Sequence, residues 1–484
     1  MVPKIVCDAQ PDWLRLTELA WRIAAAQVEQ PPLPGWKPQM CCMPGTGIIW
    51  MWDSCFMTLF ARYGAGVVPV MNNLDNLYRL QRDDGLIGMA YETGSEQLAY
   101  GERINPPLLA WAEVNYWRLT GDDSRLSQVM PKLVRFFDWI KTNRRRPSGL
   151  YWFEDSGSSG MDNSPRSGYF AEKLNGSDVC HVDLAAQQAL AAECIATLAR
   201  HLGDVALAAR FEQEYREIAT VVQLYHWNKA TGFFYDVFNR DDPAARHNHL
   251  NHKTVAGFWP LVAGICTADQ VAALIKHLLN PAEFWTRHPV ASLSKDDPNF
   301  DPGGGYWLGG VWPPMNYMIA KGLQRSGRAD LARRVAVAHL AGMAAVHQSP
   351  PYTGIWEAYA PDFLQPATKK LLISQDGSLN SETIVRDDFV GWGGLGPIAM
   401  LLEDVLGFDF DAPRRRITWH LQTDGRHGVE GVRFNGGLVS LLATEAELVV
   451  TTETALSLAV LVNGTLRLEQ QLSPGMHRLP FARS

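Results

Sequence analysis

The feature that most constrains this chain is the alternation of its connections. Apolar residues recur with helical periodicity in twelve segments before residue 410: roughly 12–29, 53–65, 68–82, 107–121, 124–146, 183–202, 204–228, 253–264, 267–280, 313–327, 328–347 and 390–406. Several carry their own boundary signals, such as Asp53 at the head of one and the first-turn prolines Pro106-Pro107 and Pro313-Pro314, where a missing N–H costs nothing. Some consecutive segments are tightly joined, as by Gly121-Asp-Asp-Ser124, Leu202-Gly-Asp204 and Ser326-Gly-Arg-Ala-Asp330. Every second connection is instead long and rich in Gly, Pro and aromatics: 30–52, 83–106, 147–182, 229–252, 281–312 and 348–389. Twelve helices joined this way close naturally into two concentric rings of six, an all-α (α/α)6 barrel with its long loops gathered at one end. A solenoid of helical pairs would use similar helices, but it needs a fixed-period repeat, which the sequence lacks.

Past residue 410 the period changes to two. Ile417-Thr-Trp-His-Leu421, Glu447-Leu-Val-Val-Thr-Thr452 and their neighbours are short alternating runs punctuated by Asn-Gly and Gly-Gly. We expect a helical catalytic domain over 1–410 and a small antiparallel β-sheet or sandwich over 411–484.

Composition narrows the function. Among 484 residues, 44 basic side chains face 51 acidic ones, a net charge of −7, which argues against a nucleic acid or an anionic membrane surface as partner. No apolar stretch is long enough to span a bilayer, and the first residues carry no secretory signature. The seven cysteines form no C-x-x-C pair and are odd in number, so they read as small buried apolar residues of a reduced, cytoplasmic protein. Whether the chain self-associates is left open. The 17 tryptophans suit either a large helical core or a cleft that stacks flat ligand faces.

Four loop motifs carry the candidate chemistry. Trp50-Met-Trp-Asp-Ser-Cys-Phe56 sets the Asp53 carboxylate beside Trp50 and Trp52, where it can bond vicinal hydroxyls above an aromatic floor or simply cap a helix. Gly157-Ser-Ser-Gly-Met-Asp-Asn-Ser-Pro-Arg166 holds Asp162 among small residues, with Arg166 able to orient a carboxylate or a ligand oxygen. In Asp301-Pro-Gly-Gly-Gly-Tyr-Trp-Leu-Gly-Gly-Val-Trp-Pro-Pro-Met-Asn-Tyr317, Tyr306, Trp307 and Trp312 can line a sugar site, and no phosphate-loop pattern is present. Gly354-Ile-Trp-Glu-Ala-Tyr-Ala-Pro361 places Glu357 between two aromatics, a setting that tunes a carboxyl by desolvation. No G-x-S-x-G elbow, H-E-x-x-H motif or kinase set occurs. His247-Asn-His-Leu-Asn-His252 lacks metal-ligand spacing and reads as solvated loop.

With these motifs in this order, the chain resembles the inverting α-glycosidases of glycoside hydrolase family 63, nearest the mannosylglycerate/glucosylglycerate hydrolase-like branch and more distantly the trehalases. Asn105-Pro-Pro107, His181-Val-Asp-Leu184, Trp259-Pro260 and Phe389-Val-Gly-Trp392 are supporting matches over residues 15–410. The resemblance implies an (α/α)6 barrel, Asp162 as general acid and Glu357 as general base. It implies substrate contacts from Trp50, Trp52, Asp53, Arg82, Arg166, Tyr306, Trp307, Trp312, Asn316, Tyr359 and Trp392. One position departs from it: Leu308 stands where relatives carry arginine, so Arg82, Arg103 or Arg166 would have to supply that charge. The expected activity is exo-acting, inverting hydrolysis of a small α-linked glycoside, with no metal and no cofactor. A sugar isomerase would need histidines that the four motifs lack. A silent carbohydrate-binding barrel would not need both acids.

Overall fold

Eleven α-helices and one π-helix fall on the twelve periodic segments in the computed structural model, which describes residues 2–166, 176–242, 248–369 and 383–481. They are α1 (Pro11–Ala26), α2 (Met51–Ala61), α3 (Asn72–Arg79), α4 (Leu109–Thr120), α5 (Asp123–Arg144) and α6 (Val182–His201). There follow α7 (Val205–Tyr225), α8 (Trp259–Val262), α9 (Ala268–Leu278), α10 (Pro313–Arg325) and α11 (Ala329–His347). The twelfth, Gly396–Val405, is wound as a π-helix. Capping explains several starts: the Asp122 and Asp204 side chains accept from the backbone N–H groups of Arg125 and Leu207, and Thr267 with Gln270 forms a capping box.

Burial sorts the helices into two sets. Every residue of α2 and of the π-helix is buried, as is nearly all of α6 and α10. By contrast α7 buries only a stripe, Ala208, Phe211, Glu214, Ile218 and Val222. A helix apolar all round needs neighbours on every side, whereas a striped one has solvent behind it. Packing follows suit: contacts run α2–α4–α6–α8–α10, then through the 3-10 turn Gly393–Leu395 and the π-helix back to α2, a closed circuit. Helices α1 and α11 lie outside it against the π-helix. The long connections all lead into N-termini of the inner set, so the described residues just before those helices meet at one end of the circuit.

The C-terminal region comprises two sheets. Strands β2 (Phe408–Asp411), β3 (Arg416–His420), β7 (Leu456–Val462) and β8 (Thr465–Leu472) form one in that order, and its β3–β7 pair is parallel. The other has the order β1 (Lys4–Cys7), β4 (His427–Phe434), β5 (Gly437–Ala443), β6 (Glu447–Thr452), β9 (Gly475–Pro480), all antiparallel. Two segments that sequence reading assigned to the helical part, Lys4–Cys7 and residues 408–410, are therefore strands. Four residues of mixed pattern offer too short a window to reveal a period, and the partner of Lys4 is Glu430, far along the chain. A single apolar core joins the helical and β regions.

Gly407 makes the joint between the π-helix and β2. Its φ is +83°, and a Cβ there would come within 2.0 Å of the His420 carbonyl oxygen, whose residue donates its N–H to Gly407 O. We expect Gly407→Ala to lose at least about 2 kcal/mol of stability, since left-handed strain and a backbone clash add. Urea unfolding followed by tryptophan fluorescence measures this.

Candidate active site

Asp162 sits in a loop built from consecutive turns. Ser159 and Met161 donate their backbone N–H groups to Ser156 O, and Gly160 donates to Gly157 O. Gly160, at φ +76°, lies flat on the Trp52 ring, where an added Cβ would stand 3.1 Å from the indole. Asn163 then ties this loop to the next motif: its amide donates to Gly305 O (2.9 Å) and accepts from the Trp307 N–H (2.8 Å). Beneath the loop, Arg166 is almost fully buried and clamped between two carboxylates. It bonds Asp236 through Nε (2.6 Å) and Nη2 (2.9 Å), and Asp183 through Nη1 (2.7 Å) and Nη2 (2.6 Å). Burial alone would raise the Asp236 carboxyl, but the charge and hydrogen bonds of Arg166 outweigh it and bring it down to about 2.

Glu357 is held by its neighbours on all sides. Tyr306 Oη donates to Oε1 (2.9 Å), the Arg386 N–H donates to Oε2 (3.2 Å), and the Trp392 indole N–H binds the Glu357 carbonyl (2.8 Å). Tyr306 reaches this place from a left-handed backbone, φ +64°. The run of glycines before it explains how: Gly304 and Gly305 also have positive φ, and side chains there would collide with Ala367 and Asp301. A strained tyrosine over-determined by its surroundings is the kind of outlier that marks a functional site.

The three acids share one electrostatic environment. Burial first, then the negative charge of Glu357, raises Asp162 to about 7, with Lys369 opposing. Asp162 nonetheless keeps part of its surface exposed. Asp53, in the first turn of α2, is likewise raised to about 7, mainly by burial and further by Glu357, while a hydrogen bond from the Cys42 thiol works the other way. Among the described residues, the buried indole N–H groups of Trp50 and Trp52 have no hydrogen-bond partner. Buried donors of this kind are uncommon.

The structure thus brings together Asp162, Glu357, Asp53, Trp52, Tyr306 and Trp392. It turns other candidates to different uses. Trp307 and Trp312 stack on each other at 4.0 Å with an interplanar angle of 3°, fully buried, and support Tyr306 from below. Asn316 is engaged with the Val290 N–H and the Trp312 carbonyl, and Tyr359 Oη accepts from the Trp356 N–H. Arg166 has its donors committed to Asp183 and Asp236, so it positions the acid loop rather than offering a fork to a ligand. Arg82 is exposed and paired with Asp84 and Glu102, while Arg103 pairs with Asp155. Trp50 lies part-buried at the rim, 5.2 Å from the Tyr100 ring. Sequence reading missed Asn163, although it adjoins Asp162. It also missed Lys369, which stands 4.7 Å over the Tyr306 ring and whose charge reaches Asp162. No local pattern distinguishes that lysine. Of the histidine run, His247 lies outside the described residues, and no group of three metal-ligating side chains gathers among the described ones.

This pairing of one raised and one hydrogen-bonded carboxyl, among aromatic walls, is the equipment of a glycosidase. Residues 47–368 match the mannosylglycerate hydrolase MGH1-like glycoside hydrolase domain, and the chain belongs to that family. It is 26% identical to an uncharacterized protein of Borreliella burgdorferi over 82% of this chain and 79% of that one. It is 38% identical to a mannosylglycerate hydrolase of Thermus thermophilus, over 24% of this chain and 26% of the relative, so it aligns with only about a quarter of that enzyme. The crystal structure of a GH63 mannosylglycerate hydrolase from Thermus thermophilus in complex with glucose has a similar fold. Its TM-score is 0.62 at 21% identity, covering 80% of this chain and all of that one.

Two consequences are measurable. Arg166→Met leaves Asp183 and Asp236 buried without their counter-charge and should cost about 3–5 kcal/mol in chemical denaturation. Asp53 is raised in the folded state, so its contribution to stability is complete below about 4 and is lost as pH rises through about 7. Asp53→Asn should therefore raise the melting temperature at pH 8 and leave it nearly unchanged at pH 4; a larger gain at pH 4 would contradict the assignment.

Proposed function

We propose that this chain is an inverting, exo-acting α-glycosidase of (α/α)6-barrel architecture, its β region serving as a structural appendage. Asp162 acts as general acid and Glu357 as general base. The observation that carries this reading is the contrast between the two carboxyls. Burial and a neighbouring negative charge keep a large fraction of Asp162 protonated near neutrality. Glu357 instead accepts from Tyr306 Oη and the Arg386 N–H, which aim its carboxylate.

The reaction follows from these roles. Asp162 gives its proton to the glycosidic oxygen as the bond from that oxygen to the anomeric carbon breaks. Glu357 takes a proton from the water that attacks the same carbon from the opposite face, which inverts its configuration. Such a pair needs about 6.5–9.5 Å between carboxyls to admit the water. Asp53 and the indole donors of Trp50 and Trp52 bind glycone hydroxyls, and the Tyr306 and Trp392 rings exclude bulk water. Lys369 stands near the acid, on the leaving-group side. Its charge suits an aglycone bearing a carboxylate, as mannosylglycerate does, and fills the role left by Leu308.

Asp162→Asn and Glu357→Gln should each lower turnover of an α-linked glycosylglycerate or disaccharide by about 10²–10⁴-fold with the fold retained. A nitrophenyl glycoside, whose leaving group needs no proton, should restore activity to the Asp162 variant alone. In the native chain kcat/KM should fall as pH rises through about 7, because the acid must be protonated. Proton NMR of the first-released anomer tests inversion; retention, or equal rescue of both variants, overturns the assignment.

A further inference from the structure

Away from the four loop motifs the helical circuit holds a cavity of about 840 Å³, walled by α4 from Trp111 to Leu119, by the C-terminal parts of α6, α10 and the π-helix and by β2 and the segment that follows it. None of the four loop motifs contributes to its lining. Its deep end is polar. Arg62 bonds Glu403 Oε1 (2.6 Å) and the Asn115 carbonyl (2.8 Å), and Lys321 bridges Glu403 (2.9 Å) and Asp404 (3.0 Å). Both acids stand near the end of the π-helix. Such helices are rare, and their bulged turns recur at functional sites. Trp111 lines the same cavity, with its ring held against Trp259 and Tyr317.

The chemistry of the walls selects the occupant. Each buried or half-buried cation at the cavity already holds a carboxylate: Arg62 with Glu403, Lys321 with Asp404, and Arg325 with Glu193. Toward the rim, Arg118 holds Asp409. An anionic ligand would have to displace a bonded carboxylate, and an apolar one would strip these pairs of solvent without replacing it. A polyhydroxylated molecule does neither, since each hydroxyl can donate to a carboxylate and accept from its cation at once. Arg62 itself is buried and lines the cavity through a side chain already bonded to Glu403 and Asn115. The volume falls within the range of small-ligand pockets. We propose that this cavity is a second binding site, separate from the acid pair, for an uncharged polyhydroxylated ligand of mono- to disaccharide size.

The proposal goes beyond the hydrolase reading and is tested apart from it. Glucose, maltose and trehalose are titrated calorimetrically into the full-length Glu357→Gln chain, which cannot consume them. Thr197 lines the cavity from α6, and Thr197→Trp added to that chain fills it. We expect binding of at least one of these sugars that Thr197→Trp weakens at least tenfold and that Trp52→Ala, at the other end, leaves unchanged. Binding lost with Trp52→Ala but kept with Thr197→Trp overturns the proposal, as does binding of none of the three. Should Thr197→Trp fail to fold, Ala329→Phe fills the cavity from the α11 side with the same expected outcome. A crystal soaked in the same sugars then decides directly: density between α4, α10 and β2 supports the site, and density only beside Asp162, or none, overturns it. If the chain proves not to hydrolyse glycosides, the cavity measurements are unaffected.

Discussion

Helices buried on nearly every side dictate the rest of this molecule. Nearly every residue of α2, α6, α10 and the π-helix is buried, so each is stable only when enclosed by others. The outer helices, with their single buried stripes, provide that enclosure. Polar groups can then concentrate only where the inner helices end. At one end six long connections converge and hold Asp53, Asp162 and Glu357. At the other the β region covers the helix ends, and the Arg62–Glu403–Lys321–Asp404 network collects there.

Within that frame, the cleft owes its behaviour to what rigidly surrounds it. The acid loop is fixed from beneath by Arg166 between Asp183 and Asp236 and from the side by Asn163 on the Gly305–Trp307 backbone. The stacked Trp307–Trp312 pair supports Tyr306, which in turn orients Glu357. Burial among these side chains, with the negative charge of Glu357, raises Asp162 and Asp53 toward neutrality. Trp307 and Trp312 serve as this scaffolding, while the buried indole N–H groups of Trp50 and Trp52 have no partner among the described residues.

The helices were legible because a 3.6-residue period sustained over three or more turns is hard to produce otherwise, and Pro313, Asp122 and Thr267 mark starts with local chemistry. The strand at Lys4–Cys7 was not, because its register is set by partners that no local window contains. The π winding of 396–405 was hidden too, since both helix types present the same apolar run. In the site, small-residue and aromatic settings made Asp162 and Glu357 candidates only, and it was the family resemblance that paired them. The uses of Arg166, Trp307, Trp312 and Asn316 could not: a charged or aromatic side chain in a loop looks the same whether it faces a ligand or a neighbour. Lys369 became visible only when the chain brought it over Tyr306.

The pairing of β1 with β4 also bears on how the chain comes to be folded. Lys4 meets Glu430 across a separation of 426 residues, so during synthesis β1 must wait for its partner until that length of chain has followed it. At ordinary synthesis rates that delay is on the order of tens of seconds to more than a minute. Throughout it the Ile5–Val6–Cys7 strand has no edge to join, while β4 later emerges with one edge unpaired. Pairing of β1 is thus delayed well beyond its own synthesis, and the growing chain carries an unpaired strand that chaperones can recognise.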